Sequence, residues 1–414
     1  MRNLICGQNL TIISSDGVIE AVKEGYHPDI NGEFDNIYTF PECIVTQGFV
    51  DVHVHLREPG FPNKETIKTG TAAAAKGGYT AVFSMPNLNP VPDCSEHLRT
   101  QTTIIESDAL IKVYPYGAIT QSEQGKQLAE MEAMADKVIA FSDDGKGVQS
   151  KNMMREAMFE AKRLRKPICA HTEDEAYLNG GYINKCKYAE KHKHKTILNA
   201  VEWRQVLRDI DLVKETGCQY HVCHVSTEMS AEAVRRAKKE GLPVTAETAP
   251  HYLVLCDEDL QEDGKWKMNP PLRSRDDMKG LIEAIKDGTI EIIATDHAPH
   301  TAEEKSRGLK DSPFGIVGLE TAFPVMFTEM VLGGHISLPE LLALMSKNPR
   351  RIFGLEQGLK EGHCADITVL NLTDTYTIDP ETFVSKGKAT PFEGRRVTGR
   401  VVATFVDGNA VYLK

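Results

Sequence analysis

Short apolar runs rich in β-branched residues alternate with amphipathic segments from about residue 48 to residue 300. The intervening segments, such as 150–165, 230–240 and 275–287, carry Lys, Arg and Glu on one face at helical spacing. The strand-like runs are Gly48–His55, Thr80–Pro86, Ile111–Thr120, Val138–Asp144, Pro167–Thr172, Tyr220–Ser226, Val244–Pro250 and Ile290–His297. Strands that alternate with helices in this way predict an α/β protein with a closed (β/α)8 barrel, the TIM-barrel architecture.

The two ends of the chain have a different pattern. They read as short strands and turns, including the hairpin turn Asp407-Gly408-Asn409. Because the termini of a barrel lie near each other, we expect residues 1–46 and 355–414 to form one small β-sandwich beside a barrel domain of residues 47–354. An open doubly wound sheet is the alternative, but the glycine-rich phosphate turn that usually follows its first strand is absent.

Composition narrows the class of protein. The chain has 414 residues, of which 41% are hydrophobic and 26% are charged, the usual mix for a globular protein. Its net charge of −11 argues against a nucleic-acid surface, because phosphate binding needs clustered basic residues. No apolar run is long enough to cross a membrane. Nine cysteines without a CxxC pair, in a chain without an apolar leader, predict reduced thiols and a cytoplasmic location.

The end of the first predicted strand, Asp51–Gly60, carries the most informative residues. Residues two apart in a strand point to the same face, so His53 and His55 project together, and we expect Asp51 on that face as well. Two imidazoles held in this way form a pair of nitrogen ligands for a zinc-like metal. Arg57 follows where the strand becomes a loop, and its guanidinium could hold a substrate carboxylate by two parallel hydrogen bonds.

Polar residues recur where the other predicted strands end. The carboxyl ends of barrel strands open onto one face, and catalytic groups lie there. The candidates are Asn87 after strand two, Asp143 and Asp144 after strand four, His171 after strand five, His224 after strand six, and Asp296, His297 and His300 after strand eight. Four histidines and two aspartates that converge from separate strands predict a site for one or two metal ions.

Other histidines are set aside. His192 and His194 also spell HxH, but their charged surroundings contain no strand, which favours a solvated surface. His221 and His224 are an odd number of residues apart, so only one is expected to face the barrel axis, and His224 is nearer the strand end. The remaining histidines set aside are His27, His97, His335 and His363, which have no partners nearby, His251 at the barrel mouth, and His297, which is expected to point elsewhere than Asp296.

Several of these motifs resemble those of the dihydroorotases, within the amidohydrolase superfamily. The stretch 48–60 is similar to their signature, and Phe141–Gly145, Cys223–Thr227, Met268–Arg273 and Ala294–His300 resemble the type I bacterial branch. The similarity covers nearly the whole chain. It implies a metal-bearing barrel with a flanking β-sandwich. It also implies zinc-dependent, reversible ring closure of N-carbamoyl-L-aspartate to L-dihydroorotate, a step in pyrimidine (UMP) biosynthesis.

The resemblance implies a set of metal ligands. His53 and His55 match the ligands of one zinc ion with Asp296 beside it, and His171 and His224 match those of a second zinc ion. Most members of the superfamily bridge their metals with a carboxylated lysine on strand four. The type I dihydroorotases resemble this chain in having an aspartate there, and spacing to strand five favours Asp144 over Asp143.

Roles in catalysis and binding follow. We hypothesise that Asp296 takes a proton from the attacking water and returns it to the departing nitrogen. The resemblance implies the binding residues. The positions that match substrate-binding residues are His55, Arg57, Asn87, Asn269, His300, Phe314 and Gly315. The loop 301–316 contains Gly308, Gly315 and many charges, which predicts a mobile lid. An ordinary long surface loop is the alternative.

Two departures and two rival functions complete the interpretation. The lysine-rich segment 179–196 is unlike the corresponding loop of type I bacterial enzymes, and the N-terminal segment is short. Both differences bear on oligomer contacts more than on chemistry.

A related cyclic amidase (a hydantoinase, dihydropyrimidinase or allantoinase) would leave Arg57 and Asn87 unexplained. A non-catalytic partner of aspartate carbamoyltransferase would be expected to lose metal ligands. We expect a homodimer, and association with aspartate carbamoyltransferase stays open.

Overall fold

The computed structural model describes all of residues 1–414. Eight parallel strands, called barrel strands one to eight below, follow one another around a barrel. The strands are Phe49–Val54, Tyr79–Ser84, Lys112–Pro115 with Gly117–Ala118, Phe141–Ser142, Ile168–Ala170, Tyr220–Val222, Val244–Thr248 and Ile292–Ile293. The barrel closes after strand eight, where the His55 N–H donates to the His297 carbonyl at 2.8 Å. The predicted (β/α)8 barrel is confirmed.

Barrel strand three is shorter than the predicted 111–120 and is interrupted at Tyr116. Lys112–Pro115 pairs with barrel strand two, whereas Gly117–Ala118 pairs with barrel strand four. Because proline has no N–H to donate, Pro115 marks the point where the pairing passes from one neighbour to the other.

Helices surround the barrel because each has an apolar face. Glu228–Lys239 buries Ala231, Val234 and Ala237, and its N-cap Thr227 accepts a hydrogen bond from the Ser230 N–H, a cap worth about 1 kcal/mol. No helix is both long and apolar enough to span a membrane. The other outer helices are Ile67–Lys76, Ser95–Asp108, Met131–Met134, Lys151–Arg163, Ala200–Thr216, Arg275–Lys286 and Ala322–Met326; shorter helices are Lys187–His192, Pro250–Val254, Ala302–Lys305, Gly308–Asp311, Leu338–Leu342 and Asn348–Ile352.

The interior of the barrel is a packed core. Val50, Val52, Phe83 and Ile292 are among the buried side chains that fill it. Phe353 packs beneath them, with its ring centroid 5.0 Å from that of Phe83. The interior is therefore filled by side chains, as is usual for this architecture, and the candidate chemistry lies above it at the carboxyl ends of the strands.

Strands from both ends of the chain form two further four-stranded sheets. Side chains from both sheets, including Ile5, Ile12, Val369 and Phe405, share one buried core. The first sheet runs in the order Val18–Glu24, Leu10–Ser15, Arg2–Gly7, Asn36–Phe40, and the second in the order Asn409–Leu413, Arg396–Val406, Ile367–Thr377, Ile44–Gln47. Another pair, Ile183–Asn184 with Thr196–Ile197, lies within the segment after barrel strand five.

One segment between the two long C-terminal strands returns to the barrel. Ser385 donates to the buried Glu65 carboxylate, and Gly387 lies so close to Pro299 that a Cβ added to the glycine would be 2.7 Å from the proline side chain. The proposed division of the chain at residues 46 and 355 stays a prediction, and this segment is a contact between its two parts.

Candidate active site

A β-bulge at the end of barrel strand one aims two histidines into the barrel mouth. The pairing with strand two is irregular within residues 51–54. The Asp51 carboxylate accepts from the backbone N–H groups of His53 and Thr295 and does not join the imidazoles. The expectation that Asp51 shares a face with His53 and His55 is therefore wrong, because a bulge changes the alternation of side chains.

These two histidines approach the same pair of carboxylates. His53 Nε2 lies 3.3 Å from Asp144 and 3.6 Å from Asp296. His55 Nε2 lies 3.2 Å from Asp296 and 3.5 Å from Asp144. The other ring nitrogen of His55, Nδ1, is 2.8 Å from the Asn87 side-chain oxygen, which fixes the orientation of the ring. All of these side chains except Asn87 are buried.

A second pair of histidines lies on the other side of Asp144. His171 Nδ1 and His224 Nε2 are 2.9 Å apart. They lie 3.6 and 3.5 Å from Asp144 Oδ1, the same oxygen that faces His53. The Asp144 carboxylate therefore lies between the two histidine pairs, where it could bridge two metal ions.

The donor atoms fit a metal. His53 Nε2 and Asp144 Oδ1 are buried without a hydrogen-bond partner, an arrangement that is costly unless a ligand pairs with them. Two nitrogen ligands about 2.1 Å from a tetrahedral zinc ion are about 3.4 Å apart. Several donor separations, such as the 3.3 Å between His53 and Asp144, are close to that value. Imidazole and carboxylate donors also suit zinc chemically.

Asp143 has a different environment from its neighbour. Its carboxylate accepts from the backbone N–H groups of Ile119 and Thr120 and from the Thr120 hydroxyl. Burial raises the pKa of Asp143 to about 6. This residue fastens barrel strand four to the loop after strand three, and Asp144 is the aspartate that faces the histidines.

A cavity of about 150 Å³ opens beside the donor atoms. Every predicted metal-binding and substrate-binding residue lines it except His53, which lies fully buried behind it. The lining residues are His55, Arg57, Asn87, Asp144, Gly145, His171, His224, Asn269, Asp296, Ala298, His300, Phe314 and Gly315. Sequence reasoning did not identify Gly145 and Ala298, which line the cavity without offering a chemically active side chain.

One end of the cavity is cationic. Arg57 is buried, adopts a positive φ of 62°, and donates from Nε to the Pro299 carbonyl at 3.2 Å. Its guanidinium forms no ion pair with any carboxylate of the chain within 4.0 Å. Burial lowers the pKa of Arg57 to about 10, so the group is still a cation at neutral pH.

His300 lies beside Arg57, whose Nη2 is 3.4 Å from His300 Nε2, and has two shorter polar contacts. Its Nε2 is 2.7 Å from the Phe314 carbonyl, which can only accept, so this nitrogen carries the proton. Its Nδ1 is 3.2 Å from the Lys64 ammonium, which can only donate. Burial and the positive charges of Arg57 and Lys64 lower the pKa of His300 to about 3, so its ring is neutral.

The loop 301–316 is fastened to its surroundings by a buried lysine. Lys305 donates to the carbonyls of Lys267, Pro313 and Gly315 at distances of 3.1, 2.9 and 2.7 Å. These contacts fix the backbone next to Phe314, whose carbonyl holds His300. The mobility of this loop as a lid stays a prediction.

One expectation about the other histidines is wrong. His221 and His224 both face the barrel axis: His221 Nε2 is 3.1 Å from the inward Glu247 carboxylate, and its ring packs against Phe353. The alternation fails because the strand ends at Val222 and His224 has a positive φ of 34°. His297 does point elsewhere than Asp296, towards Gly318, Glu65 and Ser385.

Sequence reasoning missed two buried glutamates behind the candidate ligands. Glu247 Oε1 is 2.7 Å from His53 Nδ1. Glu173 Oε2 lies 3.6 Å from His171 Nε2, while its other oxygen accepts from the Asn269 side chain at 2.8 Å. The available signal was a charged residue within the apolar run 244–250, since a buried charge is rare without a partner.

A larger cavity lies at the opposite end of the barrel. It has a volume of about 450 Å³ and is lined by Pro167, Leu242, Phe353 and the ion pair of Lys238 with Glu291, among others. Its cationic and anionic groups already satisfy each other, and the groups that could hold a metal ion at the barrel mouth are not part of it. The smaller cavity at the strand ends is therefore the candidate active site.

Solved structures of similar shape are cyclic amide hydrolases. The L-hydantoinase (dihydropyrimidinase) from Arthrobacter aurescens matches with a TM-score of 0.88 and 25% identity, over 100% of this chain and 96% of that chain. The dihydropyrimidinase from Brevibacillus agri NCHU1002 matches with a TM-score of 0.85 and 22% identity, over 100% and 95% of the two chains, which shows the fold alone. The fold and the site together define the class, a barrel hydrolase that acts on cyclic amides.

Sequence comparison narrows this class to one family. A model of the dihydro-orotase-like family matches residues 43–230. The dihydroorotase of Fusobacterium nucleatum subsp. nucleatum is 49% identical over 408 residues, which cover 98% of this chain and 95% of that one. The dihydroorotase of Bacillus cytotoxicus is 47% identical over 408 residues, with the same coverage. The chain belongs to the dihydroorotase family.

Proposed function

We propose that this chain catalyses the reversible ring closure of N-carbamoyl-L-aspartate to L-dihydroorotate, a step in pyrimidine (UMP) biosynthesis. The observation that carries the proposal is the buried Arg57, a cation without a carboxylate partner that lines the same cavity as the metal-type donors. A buried charge is costly unless it is paired. A substrate that brings a free carboxylate next to a cyclic amide would supply the missing partner.

The metal site of this enzyme would hold zinc. His53, His55 and Asp296 would bind one ion, His171 and His224 a second, and Asp144 would bridge the two; a single ion at the first position is the other possibility. Bound there, zinc would lower the pKa of a water molecule towards about 7 and polarise the ring carbonyl.

Asp296 would move the proton. Its Oδ1 lies 3.2 Å from His55 Nε2, at the cavity wall. Although burial opposes it, the neighbouring His55 and His53 lower the pKa of Asp296, so the side chain is a carboxylate that can accept. In ring opening it would take the proton of the attacking water and return it to the departing ring nitrogen, and ring closure would reverse these transfers.

The cationic end of the cavity would bind the substrate carboxylate. The guanidinium of Arg57 has the planar geometry for two parallel hydrogen bonds. The Asn87 side-chain oxygen faces His55, so its NH₂ group remains available to donate to an anion. The remaining substrate-binding residues would be His55, Asn269, His300, Phe314 and Gly315, all of which line the cavity.

The setting of the reaction is part of the proposal. We infer a cytoplasmic location, with which the free cysteines agree. We also infer a homodimer. Co-purification would test association with aspartate carbamoyltransferase. Half of the residues in the lysine-rich segment 179–196 are exposed, and because this segment differs from the loop of type I bacterial enzymes, an oligomer contact particular to this chain would lie there.

An assay of cyclic amides tests the proposed function. Purified protein, prepared without chelators, is expected to interconvert L-dihydroorotate and N-carbamoyl-L-aspartate and to contain one or two zinc ions per chain. Hydantoin, dihydrouracil and allantoin, which offer no free carboxylate to Arg57, serve as matched controls and should be poor substrates. Preferential hydrolysis of one of these neutral rings would assign the chain to a related cyclic amidase instead.

A further inference from the structure

Glu247 is a buried carboxylate in barrel strand seven, directly beneath the donor atoms. It belongs to the strand Val244–Thr248 and is 1% exposed. We propose that Glu247 is a positioning residue that anchors a ligand from each half of the metal site, His53 from the first and His224 from the second. This inference rests on the metal site of the proposed function. It assigns Glu247 as the group that holds two ligands of that site in position.

One oxygen of Glu247 contacts both ligands. Oε1 is 2.7 Å from His53 Nδ1, and the backbone N–H of His224 donates to the same oxygen at 3.2 Å. A carboxylate can only accept, so His53 carries its proton on Nδ1 and turns the lone pair of Nε2 towards Asp144 and Asp296. The tautomer that can bind a metal is therefore set by this contact.

The backbone contact has a separate effect. His224 adopts a positive φ of 34°, which is unfavourable for a residue with a side chain and brings its ring back towards the barrel axis. The hydrogen bond from its N–H to Glu247 holds the backbone in this conformation. Glu247 thus acts on the ring of one ligand and on the main chain of the other.

The second oxygen of Glu247 is held by His221. Oε2 is 3.1 Å from His221 Nε2, and His221 Nδ1 is 2.8 Å from the Thr245 hydroxyl. Glu247 and His221 lie inside the barrel, beside a cluster of apolar side chains. A charged group in such a core stabilises a protein little compared with a well-packed apolar group. The position of Glu247 behind two ligands therefore points to a role in the metal site.

Zinc affinity measured by chelator competition tests the proposal. Glu247→Gln keeps the size of the side chain but loses the charge, and zinc binding is expected to weaken by roughly 10–100-fold. Glu247→Asp keeps the charge but is one methylene shorter, so it should contact only one of its two ligand partners and lie between Gln and the wild type. His221→Leu should weaken zinc binding less, because it acts only through Glu247.

Asp209→Asn is the matched control. Asp209 is also a fully buried carboxylate with two partners, Tyr220 and Arg208, but lies on an outer helix. The Asp209→Asn substitution should lower the unfolding temperature of the metal-free protein as much as Glu247→Gln does, while leaving zinc affinity unchanged. Equal zinc affinity in the wild type, Glu247→Gln and Glu247→Asp would overturn the positioning role alone. A wild-type protein that binds no zinc would overturn the proposed metal site as well.

Discussion

Buried charged side chains at the catalytic end of the barrel fall into two groups. Some have hydrogen-bond donors within the chain: Asp51 accepts from the backbone N–H groups of His53 and Thr295, and Asp143 accepts from those of Ile119 and Thr120. Others lack a partner: His53 Nε2 and Asp144 Oδ1 have no hydrogen-bond partner, and Arg57 donates to the Pro299 carbonyl but forms no ion pair with a carboxylate. Because an unpaired buried group costs free energy of folding, the second group marks where substrate and metal belong.

Asp296→Asn tests the proton transfer. The amide keeps an oxygen for the metal but is not a base, so turnover should fall by roughly 10²–10⁴-fold, while zinc content and the binding of substrate change little. Steady-state rates together with metal analysis of the same preparation check both halves of this prediction. A variant with a near-normal rate would remove Asp296 from the role of base.

Arg57→Lys tests carboxylate recognition. Lysine keeps the charge but cannot form two parallel hydrogen bonds. Loss of one charge-assisted bond, about 1.5–3 kcal/mol, should raise KM for L-dihydroorotate by roughly tenfold or more, with a smaller effect on kcat. The comparison of KM values for this substrate is the measurement, and an unchanged KM would mean that the carboxylate binds elsewhere.

At the residue scale, sequence patterns identified the candidate metal ligands and substrate-binding residues but not the glutamates behind the ligands. His53 and His55 stand out because other strand ends also carry His or Asp. Glu247 is hidden, since its partners His53 and His221 come from two other strands. That His221 and His224 both face the axis could not be predicted either, because the direction of His224 depends on its positive φ and not on spacing.

At the scale of single elements, strand ends and loops carry the function. Irregular backbone recurs at the site: the bulge within 51–54 and the positive φ values of Arg57, His224 and Asp296. Such features tilt side chains towards the axis in ways that regular alternation would not. The sequence predicts where strands end, but hydrophobic periodicity does not encode these local turns.

Lys305→Met tests whether the hydrogen bonds of Lys305 hold the loop 301–316 in position. Without the ammonium, the carbonyls at residues 313 and 315 lose their donor, so Phe314 should shift and release His300. We expect KM to rise by roughly fivefold or more and limited proteolysis within the loop to become faster. Lys310→Met, an exposed lysine of the same loop, is the control and should change neither quantity. Equal proteolysis of both variants would contradict the role of Lys305.

At the scale of the whole molecule, the two terminal sheets and the barrel contact each other at both ends. The segment around Ser385 meets the catalytic end through Glu65. Lys112 of barrel strand three contacts Asp366 and Asp407, which flank strands of the C-terminal sheet. The alternating pattern of the chain predicted a barrel and terminal strands. It could not predict these contacts, because each joins residues hundreds of positions apart.

Lys112→Met tests how far this contact stabilises the molecule. Lys112 donates to Asp366 and Asp407 at 2.8 Å each, and Asp366 is almost fully buried. Without the ammonium, the Asp366 carboxylate keeps only the Asp407 backbone N–H as a donor, which should cost about 2 kcal/mol of unfolding free energy. The substitution should leave kcat and KM unchanged, because the contact is remote from the cavity. The exposed pair Lys214–Glu240 is the control, and Lys214→Met should have little effect.

The pH dependence of that stability loss separates an ion pair from simple packing. Although burial opposes it, Asp366 and Asp407 raise the pKa of Lys112. The stabilisation is therefore fully present below the unfolded lysine pKa of about 10.4 and is lost as pH rises through the higher folded pKa. The difference in unfolding free energy between wild type and Lys112→Met should stay constant from about pH 6 to 9 and shrink above about pH 11. A difference that persists undiminished in strong alkali would attribute the effect to packing of the aliphatic stem.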